Sequence, residues 1–159
     1  MLLVTGASMG TLTVETAFAA PPLVLPREPS AMREEQIRVS VQLARASYTP
    51  RQDDYWPERR HSSRDPFPYP VHLTPLSRDH RPDVRQTIIV IGRHLSEQGL
   101  DFYHHEPIPF RRAVVSLPTN GNEWVSLLFE LFWTRYNCHG WYDNGGRFLA
   151  VVPPLDMAA

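Results

Sequence analysis

The chain reads as an α+β domain: a small mixed or antiparallel sheet with one apolar helix at about 121–136 and a C-terminal β-hairpin. Three observations predict this. Thr87-Ile88-Ile89-Val90-Ile91 is a continuous β-branched run, the mark of a strand buried on both faces. Trp124 to Trp133 is dense in large apolar residues behind a capping signal, and Asn144-Gly145 stands between two strand-like stretches. At 159 residues the natural expectation is one domain with its own core.

In chain order, residues 1–30 are expected to be an N-terminal arm, with the domain proper at 31–159. Pro21, Pro22, Pro26 and Pro29 keep the arm from becoming a helix. Ala17-Phe18-Ala19 has the small residues of a leader cleavage site, but the basic start of a secretion signal is missing. From Gln36, Ile37, Val39, Val41 and Leu43 alternate with polar residues, and this period of two predicts a half-buried strand. Arg33-Glu34-Glu35 allows a helix as the competing reading.

Residues 50–82 hold seven prolines, among them Pro66, Pro68 and Pro70, together with Tyr55, Trp56, Phe67 and Tyr69. Proline at this density removes ladder donors and favours extended backbone, so an extended arm is expected, anchored by its aromatics. After the strand at 87–91, Ser96 to Leu100 reads as one helical turn and Arg112 to Leu117 as a short strand. Asn120 and Glu123, three apart, form a reciprocal cap for the apolar helix. His139 to Val152 then reads as a hairpin turning at Asn144-Gly145, because Asn-Gly tolerates positive φ.

All 16 cationic side chains are arginine; there is no lysine. That excludes a P-loop, a protein kinase and any Schiff-base enzyme, each of which needs an amine. The opening Met1 to Gly10, with Thr5, Gly6 and Gly10, resembles the first strand and turn of short-chain dehydrogenases. The resemblance ends there: Leu12 stands where those enzymes need a glycine, and their catalytic lysine is missing. The formal net charge of −1 offers no general attraction for nucleic acid or an anionic membrane. One cysteine, Cys138, rules out a disulfide within the chain and fits a reducing, cytoplasmic setting, with secretion the alternative.

His104-His105-Glu106 is the densest set of potential metal ligands. Neighbours on a strand point to opposite faces, however, so no metal site is expected without a turn. No catalytic residue and no cofactor are assigned. The expected function is a non-enzymatic protein-interaction module, since Trp, Tyr and Arg dominate interface hot spots. Its partner-binding residues are expected to be Trp56, Phe67, Tyr69, Trp124 and Trp133, and a homodimer is compatible with them. A lysine-free chain offers no side-chain amine for ubiquitin-like conjugation, which would suit a viral or pathogen accessory protein in a host cell. The alternatives are a small hydrolase or transferase using His104, His105 or Cys138, and an RNA-binding surface with stacked aromatics.

Overall fold

The computed structural model describes residues 21–48, 64–119, 123–137 and 139–155. Helix α1 (Ala31–Tyr48) is followed by seven strands: β1 (Asp65–Pro66), β2 (Pro70–Pro75), β3 (Ile88–Leu95), β4 (Gly99–His104), β5 (Arg112–Pro118), β6 (Trp124–Tyr136) and β7 (Tyr142–Val152). Every pairing is antiparallel, in the order β1-β3-β2-β5-β6-β7-β4, and β4 returns to pair with β3. Strands β2 to β7 therefore form a closed six-stranded barrel, with β1 as a short extra rung on β3. The α+β expectation is overturned: the described residues are mostly sheet, closed on itself, with one α-helix among them.

The predicted helix at 121–136 is strand β6. Its inward residues Val125, Leu127, Phe129 and Leu131 alternate at the period of a strand and join the interior cluster. Leu128, facing the other way, is also fully buried, packed with Val114 and Val152 beneath Leu23, Leu25 and Leu155. A strand covered on both sides loses its alternation and reads as a continuous apolar run. The cap assigned to Asn120 lies outside the described residues. Glu123 instead stands just before β6, and its carbonyl accepts from Thr119 N at 2.7 Å.

The predicted strand at 36–43 is part of α1. Ile37, Val41 and Ala44 are buried and enter the barrel core, whereas Val39 and Leu43 are 45% and 53% exposed. Spacings of four and three put the buried residues on one helical face. Two polar contacts hold the helix beside the barrel: Arg45 pairs with Asp65 on β1, and Gln42 Nε2 donates to Glu97 Oε1 at 3.3 Å.

The C-terminal hairpin exists with a different turn. It joins β6 to β7 through Asn137–Trp141, where Asn137 N donates to the Trp141 carbonyl and Gly140 has φ 81°. Asn144-Gly145-Gly146 runs inside β7. A side chain at Gly145 would collide with the Trp133 indole, and one at Gly146 with the Glu130 carbonyl. The Asn-Gly pair thus marks close packing rather than a turn. Strand β5 falls where expected, and β3 extends the predicted 87–91 strand to Leu95. Ile89 and Ile91 are 60% and 44% exposed, so β3 is not covered on both faces. The proline-rich stretch contributes β1 and β2 to the sheet, with Thr74 and Pro75 still paired to β5. No described helix is long and apolar enough to cross a membrane.

Candidate functional site: a polar, aromatic cleft beside the turn half of the β6–β7 hairpin

The 13 residues of β6 outrun the core: the first half is buried, while Phe132 to Tyr136 are exposed. Together with β7, this half-strand makes a ledge. Opposite it stands the turn between β3 and β4, built by Ser96. The Ser96 hydroxyl accepts from Gln98 N and Gly99 N, both at 3.2 Å, and Ser96 N donates to the Gly99 carbonyl at 3.0 Å. A serine placed this way folds the backbone into a tight turn through its own side chain. Phe148 N donates to the Gln98 carbonyl at 2.8 Å and ties the turn to β7. Gly99 is required because a side chain there would strike Gly146 across the β4–β7 seam.

Between turn and ledge lies a cleft of about 200 Å³. Its lining includes Arg64, His94, Ser96, Gln98 and Asp101 from the β1, β3 and β4 region, and Phe132, Trp133 and Arg147 from β6 and β7. Two guanidiniums therefore face the space against one carboxylate. Asp101 Oδ2 lies 3.6 Å from Arg64 Nη1 and 3.5 Å from His94 Nδ1, a nitrogen without a hydrogen-bond partner. Arg147 stacks over the Phe132 ring at 4.8 Å and lies 3.5 Å from buried Glu130, which also accepts from Arg112 at 3.2 Å. Arg135 sits 5.7 Å from the Trp133 ring centre. The cleft thus has two guanidiniums, each near a carboxylate, a polar turn and flat apolar rings, groups that can hold an anion attached to a planar group.

Of the five residues expected to bind a partner, Trp133 lies in this cleft. Trp124 is partly buried, its ring 4.9 Å from that of His72. Phe67 is 2% exposed inside the core and Tyr69 packs edge-on against it at 5.1 Å. Trp56 lies outside the described residues, as does Cys138. The residues that sequence reasoning passed over are Arg64, Ser96, Gln98, Phe132 and Arg147. Ser96 followed by Gly99 carried a turn signal, obscured by reading Ser96 to Leu100 as a helical turn, and Phe132-Trp133 beside Arg135 and Arg147 carried a recognition signal, masked by the helix assignment at 121–136.

No protein-family profile matches the chain, and no curated protein matches it. Among solved structures, the inhibitor of motility MotI/DgrA from Bacillus subtilis is similar at 13% identity with a TM-score of 0.44. The match covers 65% of this chain and 49% of that one, so this chain spans about half its length. A likeness at that level carries no inference about activity or partners.

Proposed function

We propose that this barrel is a non-catalytic recognition module, and that its cleft holds an anionic ligand bearing a planar ring, of the nucleotide class. The observation that carries this reading is that Arg64 and Arg147 line the same cleft as Phe132 and Trp133. Arginine suits such a ligand because its planar fork binds phosphate oxygens in pairs and also stacks on rings. The Ser96 turn adds polar groups at the rim, and the ledge supplies the stacking face.

Titration of the full chain with a panel of nucleotides tests it, followed by tryptophan fluorescence and calorimetry. At least one nucleotide is expected to bind saturably and more tightly than inorganic phosphate. Trp133→Ala should cost about 1–3 kcal/mol of affinity, the worth of one stacked base. Arg147→Ala should cost about 1.5–3 kcal/mol, as for a charged hydrogen bond. Failure of every nucleotide to bind the folded protein overturns the reading.

A second reading is a protein partner docked on the ledge itself. Tyr136 at 61% and Trp141 at 37% exposure support it, since neither lines the cleft. Tyr136→Ser with Trp141→Ser would then abolish capture of the partner and leave nucleotide binding unchanged.

A further inference from the structure

Strand β4 carries the cleft at its first residue and a second cluster at its last. Asp101, the third residue of β4, also lines the cleft, and three steps of about 3.3 Å from it to His104 separate the two places by roughly 10 Å along the strand. His104 closes the strand opposite Tyr142, and the backbone bends at His105 and Glu106. The alternation of a strand stops at that bend. The two imidazoles, which a continued strand would send to opposite faces, lie 4.5 Å apart centre to centre at an interplanar angle of 55°. Glu106 Oε1 is 3.7 Å from His105 Nε2. One donor atom from each of the three residues lies within 4.8 Å of the others.

We infer that His104, His105 and Glu106 form a binding site for a divalent transition-metal ion at the end of β4. Bonds of about 2.0–2.2 Å to nitrogen and oxygen put the donors of a tetrahedral site roughly 3.4 Å apart. Reaching that spacing requires rotation only of His105 and Glu106, whose side chains are 62% and 72% exposed. His104, 8% exposed, is the fixed point around which they close. Two imidazoles and a carboxylate favour zinc, cobalt, nickel or copper over magnesium and calcium, which take oxygen ligands. The outer coordination positions face solvent, so the site is open on one side. The Trp141 ring, 6.2 Å from that of His105, stands close enough to report an ion by quenching.

The test is titration of the full chain with Co²⁺ and Zn²⁺, read by visible absorption, calorimetry and tryptophan fluorescence. His105→Ala and Glu106→Gln are the variants, because both positions are exposed and their loss spares the core. His80→Asn, at an exposed histidine remote in sequence, is the control. One equivalent is expected to bind. Each variant should weaken it by more than the roughly tenfold that even a lost supporting hydrogen bond costs a metal site. The control should bind as the unaltered chain does. Absence of saturable binding overturns the site, and so does unchanged affinity in either variant.

Discussion

At the scale of single residues, the molecule places several polar groups where only their neighbours make them tolerable. Ser116 and Ser126, both fully buried on paired strands, share a hydrogen bond of 3.2 Å. Glu130 is nearly buried and answers two arginines. His72, like His94, is an exception. Its Nδ1 is buried without a hydrogen-bond partner, and the ring lies against Trp124. Burial lowers its pKa from the ordinary 6.5, so the unfolded chain binds a proton that the folded one resists. Stability from this group is therefore complete above pH 6.5 and is lost as pH falls toward the depressed folded value. The melting temperature should drop on acidification through this window, and His72→Phe should flatten the slope. An unchanged slope in the variant would remove His72 as a cause. His104, depressed in the same direction, leaves a residual slope in any case.

At the scale of elements, what could be read from the chain depended on whether one face met water. Strand β5 was readable because Pro118 ends an apolar run of strand length. Helix α1 misled because Ile37, Val39, Val41 and Leu43 alternate, yet only Ile37 and Val41 are buried. Val41 and Val39, one buried and one exposed, decide between the two conformations in solution. Val41→Ala empties part of the core and should cost about 2 kcal/mol, within the range for buried methyl deletions. Val39→Ala, on the open face of the helix, should change stability by less than about 0.5 kcal/mol. Equal losses at both positions, read by urea denaturation, would restore the strand. Strand β6 misled for the opposite reason: its two coverings lie far away in sequence, at Leu23, Leu25 and Leu155. The cleft inherits that difficulty, since Phe132 and Trp133 look like core helix until β6 is known to overrun the barrel.

For the molecule as a whole, closure is the property that local pattern cannot reveal. Hairpins β2–β3, β3–β4, β5–β6 and β6–β7 join neighbours in the chain, but β2–β5 and β4–β7 join distant segments. Those two seams turn a string of hairpins into a barrel, and no periodicity of the residues concerned announces them. The β4–β7 seam brings Gly99 against Gly146 so tightly that no side chain fits. It has a kinetic consequence. Once shut, the barrel offers a neighbouring molecule little unpaired strand; before it shuts, β4 and β7 each carry a bare row of amides and carbonyls. Loop-closure entropy must be spent before a long-range seam returns anything, so such topologies fold in about milliseconds to seconds. During that interval the chain is a template for pairing with other copies of itself. Refolding yield should therefore fall steeply as protein concentration rises, while the native protein tolerates the same concentrations. Widening the seam with Gly99→Val should hold the chain longer in its open form, so that aggregation during refolding increases well beyond what the loss of native stability alone accounts for.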